Sequence, residues 1–490
     1  MTHTADPQFG KIRSFFWPIE SRELKKFLPM ALMMFFIIFI YTILRGTKDG
    51  LVVTAAGAGV ISFLKGYVVF PCSILFVLGY GKLVDVLSKE KVFYTVCLFF
   101  LIFFGIFGFL VFPNREFFHP TKETVEGWVA SMPAMKYFFY IFGTWSYSAF
   151  YVMSELWGST MTSLLFWQFA NEITRTSEAK RFYAMFILLS NFSLILSGSS
   201  LKWFSNGVSS ELSLMLICGS VVVCGGTVMW LYRWIHLHVL TDPLFYNAAE
   251  QSNKPKKKKA KVSMLDSFKI LFTSKYLMMI ALLVLTYGIS VNLIELLWKN
   301  QLKLQFPNLN DYNAFMGNLF IGTGIATILL VLVSKSIVMK FGWFMGAILT
   351  PLMMLVTGSI FFACMFFSNL MEPLASLFGM TTLLMSVWLG TIQNVLSKSV
   401  KYGLFDPTKE MAYIPLDDDM KAKGKAAVDV VGARLGKASG GYIASGLLIA
   451  TAGTVTDIAP ILSIFIIATI IVWIYAVFTL SKLYAAKVAE

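Results

Sequence analysis

The sequence predicts an all-α polytopic membrane protein. Three observations carry this. Of the 490 residues, 57% are hydrophobic and only 14% are charged, against about 25% charged in soluble domains. The mean hydropathy is +0.71. The apolar residues come in long unbroken runs, not in the alternating segments of about ten residues that mark a membrane β-barrel. A soluble enzyme, a disordered scaffold and a secreted disulfide module are excluded on composition.

A span needs about 20 apolar residues. Met1 to Lys26 is polar and mixed in charge, with no cleavable signal, so the first apolar run reads as an uncleaved span. Twelve spans are predicted, at 28–48, 60–81, 92–113, 136–166, 180–204, 211–235, 276–298, 313–335, 342–367, 373–397, 424–451 and 459–482. The eleventh is the least apolar. It begins on charge and carries Arg434 and Lys437 inside it.

The net charge of +14 has its explanation in these spans. With both termini in the cytoplasm, most Lys and Arg fall in cytoplasmic segments, as the positive-inside rule requires. No basic recognition fold accompanies the charge, so nucleic acid is not an expected partner. The bilayer is. The longest loop holds Lys254-Pro255-Lys256-Lys257-Lys258-Lys259 and Lys261. It reads as a flexible linker that also anchors topology, ahead of a site for anionic lipid.

That linker divides the chain into a cytoplasmic segment 1–27, a six-helix bundle 28–235, the basic linker 236–275, a second bundle 276–483 and a tail 484–490. A weak internal repeat supports the division. The loop after span two (Lys82, Lys89, Lys91) and the loop after span eight (Lys335, Lys340) are both basic. Long charged loops, 171–181 and 398–423, follow the fourth span of each half. Two six-helix halves around a central cavity describe a major-facilitator-like architecture, with substrate near the midplane.

Charges inside the membrane cost about 2.5 to 3.5 kcal/mol each on insertion scales and therefore point to function. Arg45, Lys48 and Asp49 lie at the outer end of span one. Arg45 and Asp49 are four apart, share a helix face and are placed to pair. Lys65 sits a few residues into span two, where a lysine facing water is a partner for phosphate. Glu155 lies in the middle of span four as a proton carrier, a salt-bridge partner for Lys65 or Arg45, or an acceptor for a substrate amine. Late in span seven, Asn292 and Glu295 share a face, with Lys299 one turn on as a neutralising partner. Gln393 and Asn394 in span ten read as polar packing residues first and site residues second.

The last cluster is Lys421, Lys423, Lys425, Asp429, Arg434 and Lys437, ending in Gly436-Lys437-Ala438-Ser439-Gly440-Gly441. Lysines near a helix start, with glycines that admit close approach, suit phosphate. The spacing is not that of a phosphate-binding GxxxxGK[ST] loop, so no ATP hydrolysis is expected. The five cysteines lie in apolar runs without CxxC spacing, and the four histidines are scattered. Neither a disulfide nor a metal site is predicted, and no cofactor. Cations outnumber carboxylates in the membrane, which suits an anionic, phosphorylated solute. Residue chemistry alone stops there.

At these residues the chain resembles a known family. Tyr-Thr-Ile-Leu-Arg-Gly-Thr-Lys-Asp (41–49), Phe-Leu-Lys (63–65), Phe-Tyr-Val-Met-Ser-Glu-Leu-Trp-Gly (150–158), Leu-Phe-Trp-Gln-Phe-Ala-Asn-Glu-Ile-Thr (165–174), Met-Ala-Tyr-Ile-Pro-Leu-Asp (411–417) and Lys-Gly-Lys-Ala-Ala-Val-Asp-Val (423–430) are similar to the ATP/ADP translocases of obligate intracellular bacteria and plastids. The resemblance runs from about Pro18 to Lys482. It implies exchange of external ATP for internal ADP across a bacterial inner membrane, in some members with phosphate beside the ADP. It also implies transport roles for Lys65, Glu155, Glu295 and one of Lys423 and Lys425. Gly46, where plastid members carry an acidic residue, places the chain nearer the bacterial branch. Proton-coupled nucleotide import, or exchange of a different nucleotide, is the alternative. A carrier is expected, not an enzyme, acting as a monomer.

Overall fold

The computed structural model describes residue 10 and residues 17–243, 245, 273–417, 420, 424–425, 428 and 436–489. Among these there is no strand, and almost every residue between turns is helical. Among the described residues, nine helices are long and apolar enough to cross a membrane, or ten if one bent pair is counted as a span.

The helices are α1 (Leu24–Ala56), α2 (Val60–Val86), α3 (Lys89–Val111), α4 (145–173), α5 (Thr176–Ser205) and α6 (Ser210–His238), then α7 (Lys275–Gln305), α8 and α9 within Leu309–Phe366, α10 (Thr382–Ala412), α11 (Gly436–Thr451) and α12 (Val455–Ala489). Gly342, at φ +79°, separates α8 from α9. The twelve expected spans each meet a helix, but α4, α11 and, taken without its bent partner, α10 are not among the nine. α4 carries Glu155 among Ser, Thr, Gln and Asn. The apolar part of α11 is only Ala438–Thr451.

Two boundary corrections move the site. α1 continues to Ala56, so Arg45, Lys48 and Asp49 are not at a helix end; Lys48 and Asp49 are buried inside it. The apolar residues after 368 form a separate helix, Ser368–Leu377, bent 84° from α10. A turn through Gly379, at φ +65°, follows it, and the Thr381 hydroxyl then accepts from Leu384 N–H to cap α10. Span ten therefore starts at Thr382 instead of 373, and Lys398 lies inside it instead of in a loop.

Packing follows from small residues. α5 and α8 approach until an added Cβ on Gly198 would stand 2.5 Å from the Gly317 carbonyl oxygen. Only glycine permits this contact. Further contacts join the first six helices to the last six at the end away from the termini. Lys136 Nζ donates to Ala452 O at 2.8 Å, Asn310 Nδ2 to Val208 O at 2.7 Å, and Tyr442 Oη to Gly66 O at 3.0 Å. That end is closed. At the end bearing the termini, Lys26 is buried and donates to Glu178 at 2.7 Å, and Arg181 forks onto Glu23.

Candidate functional site

Four helices deliver charge to one place. α1 brings Arg45, Lys48 and Asp49; α4 brings Glu155; α7 brings Asn292, Glu295 and Lys299; α10 brings Lys398. α2 adds Lys65 from within a π-helical turn, Leu64–Val69. Similar wide turns follow Glu155 (Gly158–Phe166) and Lys398 (Lys401–Phe405). Such turns rotate the side chains of a helix and recur at functional sites.

The core of the network is Asp49, 1% exposed. It accepts from Lys299 at 2.8 Å and from Lys48 at 3.1 Å. Lys48 also donates to Glu155 at 2.9 Å and lies 3.7 Å from the centre of the Tyr151 ring. Glu295 faces three cations through one oxygen: Lys299 at 3.4 Å, and Arg45 and Lys398 at 3.6 Å. Lys65 donates to Asn292 Oδ1 at 2.9 Å, and Asn292 anchors its own amide on Gly288 O. Unpaired charges so deeply placed would be prohibitive; shared ones are tolerable. Five cations face three carboxylates among the described residues, an excess of two positive charges.

Beside this network lies a small, partly open pocket. Ser62, Lys65, Asn292, Glu295, Lys299 and Gly441 line it. The glycine stretch of α11 thus reaches the cavity through its backbone, as its close-approach reading predicts.

The structure redistributes several expected partnerships. Arg45 and Asp49 do not pair: Asp49 is taken by Lys48 and Lys299, and Arg45 turns to Glu295. Glu155 pairs with Lys48 instead of with Lys65 or Arg45. Asn394 is buried and donates to Gly390 O of its own helix at 2.9 Å, while Gln393 Nε2 is buried without a partner among the described residues. Lys425 stands apart from the network. It is half exposed and holds Glu410 at 2.5 Å, near the start of α7, where Gly424 packs on Leu277. Lys421, Lys423, Asp429 and Arg434 lie outside the described residues, as does the side chain of Lys437. Sequence reasoning missed Lys398 because span ten was begun nine residues early. The Gly379–Thr381 turn and cap were the signal that would have placed it.

Comparison with known proteins shows the family of the chain. The family model described as TLC ATP/ADP transporter matches residues 2–484. The chain belongs to this family. Among its relatives, ADP,ATP carrier protein 1 of Chlamydia pneumoniae is 48% identical, covering 100% of this chain and 97% of the relative. ADP,ATP carrier protein 1 of Rickettsia prowazekii is 43% identical over 99% of both chains. The chloroplastic ADP,ATP carrier protein 2 of Arabidopsis thaliana is 44% identical, with 96% of this chain and 76% of the relative covered.

Solved structures agree in fold alone. A bacterial homologue of the iron transporter ferroportin, in an inward-facing state, superposes with a TM-score of 0.59 at 15% identity, covering 94% of this chain and 100% of the other. A D-xylose–proton symporter gives 0.52 at 12% identity, with 92% and 98% covered. This TLC-family chain therefore has a major-facilitator-like fold. Its family and its site chemistry, not that fold, bear on what it carries.

Proposed function

We propose that this chain is an ATP/ADP antiporter working by alternating access. The observation that carries the reading is the buried excess of two positive charges, assembled from α1, α2, α4, α7 and α10 beside a cavity. A cation-rich, low-dielectric site favours a polyphosphate over a sugar or a cation. Full-length similarity to ADP,ATP carriers supports the same substrate pair.

In this reading, residues 28–235 and 276–483 form two bundles around the nucleotide, with both termini in the cytoplasm. The Asp49–Lys299 bond holds α1 to α7 at the closed end. Nucleotide phosphates recruit Arg45, Lys65 and Lys398, while Glu155 and Glu295 balance the lysines when the site is empty. No bond of the nucleotide needs to break: gradients of ATP and ADP supply the drive. Inorganic phosphate accompanying ADP as H₂PO₄⁻ would remove the one net charge that ATP⁴⁻ for ADP³⁻ otherwise moves. The chain acts as a single copy.

The test is uptake of labelled ATP into proteoliposomes preloaded with ADP, AMP or nothing. Uptake only against internal ADP or ATP is expected. Accumulation in empty vesicles under a pH gradient would replace antiport with proton-coupled import. Equal currents with and without phosphate would remove phosphate from the cycle.

A further inference from the structure

Between α9 and α10 lies a helix that crosses nothing. Ser368–Leu377 has ten residues, about 15 Å of length, too short to span. α8 begins beside Asn310 at the closed end and runs toward the termini, and α9 returns, so this helix sits at the end away from the termini. Its axis is bent 84° from α10. α10 crosses the bundle, so Ser368–Leu377 runs close to the membrane plane.

At about 100° per residue, its side chains sort into three stripes. Ser368, Glu372 and Ser376, four apart, form one; all three are exposed, and exposed Asn369 flanks them. Met371 and Ala375 form the second, which packs on Cys364 at the end of α9 and Met385 at the start of α10. Leu370, Leu374 and Leu377 form the third, and they are 73%, 47% and 78% exposed. Phe367 and Phe378, just beyond each end, are exposed as well. Round the helix the order is polar, then apolar and bare, then packed on the protein. A helix lying at the side of a bundle in the surface of a bilayer has water, lipid and protein around it in that order.

Chain position alone does not call for the bare leucines. The first half of the chain puts another ten-residue helix, Lys122–Ser131, at the same point, after its third span. That helix exposes Lys122, Glu123 and Glu126, and its one exposed large apolar side chain is Trp128. In Ser368–Leu377 the leucine stripe instead follows on along the chain from Val356, Ile360 and Phe367, exposed apolar residues at the end of α9, a span that the bilayer surrounds. Pro373, inside the helix, removes the helical donor to the Asn369 carbonyl. Water satisfies such a carbonyl at an interface, and hydrocarbon does not.

We propose that Ser368–Leu377 is an interfacial helix, with Leu370, Leu374 and Leu377 sunk among the acyl chains of the leaflet away from the termini and Ser368, Glu372 and Ser376 in water. The partner is the bilayer itself. The helix holds the corner between α9 and α10 at the membrane surface.

The experiment uses the full chain in phosphatidylcholine proteoliposomes, with Cys72 and Cys224 replaced by alanine; the other three cysteines are buried. One environment-sensitive fluorophore is attached at Leu374→Cys or at Glu372→Cys. Two quenchers are compared: iodide, present on both faces of the membrane, and a nitroxide carried on a lipid at a shallow or a deep acyl position. The nitroxide is expected to quench the label at 374 more than the label at 372, and iodide to do the reverse. At 374 the shallow nitroxide should quench more than the deep one, because an interfacial helix sinks its apolar face only about 5–10 Å.

Equal iodide quenching at the two positions would overturn the proposal by leaving the leucine stripe in water. Stronger quenching at 374 by the deep nitroxide would overturn it in favour of a re-entrant segment. Shielding of 374 from both quenchers would overturn it in favour of a protein, such as a second copy of this chain, seated on that face. If Leu374→Cys fails to reach the membrane, Leu370→Cys carries the same comparison from the same stripe. The readout is independent of transport.

Discussion

Asp49→Asn isolates the bond that ties the two parts of the chain together. The substitution keeps the shape of the side chain and removes its charge. Of the two cations on Asp49, Lys48 lies on the same helix and moves with it, so only the 2.8 Å bond to Lys299 is broken when α1 and α7 separate. Both residues are buried, at 1% and 2% exposure, so solvent does not screen the bond. Removing one partner of a buried ion pair costs about 3–5 kcal/mol. Here the lower figure applies, because Lys299 keeps Glu295 at 3.4 Å. A bias of about 3 kcal/mol corresponds to roughly a hundredfold shift between closed and open forms of that end.

Asn313 reports the shift. It is fully buried and packs against Gly50 at the closed end. In an Asn313→Cys background with Cys72 and Cys224 replaced by alanine, adding Asp49→Asn should raise the rate of thiol alkylation about a hundredfold, provided opening is fast relative to labelling. Labelling within threefold of the parent would refute the argument that this bond holds the end shut.

Three further outcomes follow from other contacts. Gly198→Ala puts a methyl 2.5 Å from the Gly317 carbonyl, where no side chain can yield. It should cost about 1–3 kcal/mol and slow exchange by loosening α5 from α8, and wild-type exchange would show that the helices slide apart freely. Lys26→Met removes a buried ammonium from Glu178 and from Phe245 O. It should lower the unfolding midpoint in detergent, at a cost of about 3 kcal/mol, and an unchanged midpoint would count against it. His119, outside the spans, bonds Ser146 at 2.7 Å; burial, and then the neighbouring Arg115, hold its pKa below the ordinary 6.5. The unfolded chain then binds the proton more readily, so the contribution of His119 is intact above pH 6.5 and is lost as pH falls below it. Thermal stability should drop between pH 6.5 and 5, and His119→Phe should flatten that drop.

Charges in apolar runs were legible from the sequence alone, because their cost demands a use. That argument finds Arg45, Lys48, Asp49, Lys65, Glu155 and Glu295. It does not find their partners. Face-sharing on one helix pairs Arg45 with Asp49, whereas the observed bonds Asp49–Lys299 and Lys65–Asn292 join residues more than 200 positions apart. Nothing local encodes them. Helix ends were harder than helix centres for a similar reason. Ser368–Leu377 adjoins the apolar run of α10 and reads as the start of a span, and only the turn after it reveals the bend. Lys425 carries the opposite lesson: a charged helix start near a glycine stretch reads as a phosphate site, yet here it closes on Glu410 away from the cavity.

The uneven charge count has an electrical consequence. Five cations against three carboxylates leave the empty site at +2. When the end away from the termini is sealed, the voltage across the membrane falls mostly over that seal, and the site shares the potential of the compartment holding the termini. If that compartment is the negative one, each site charge gains about 2.3 kcal/mol per 100 mV, and the empty carrier gains roughly twice that. Bound ATP⁴⁻ turns +2 into −2 and reverses the sign of the bias. The resting voltage would then hold the vacant carrier facing inward and push the ATP-loaded one the other way, so that cargo, not the protein alone, decides which direction is downhill.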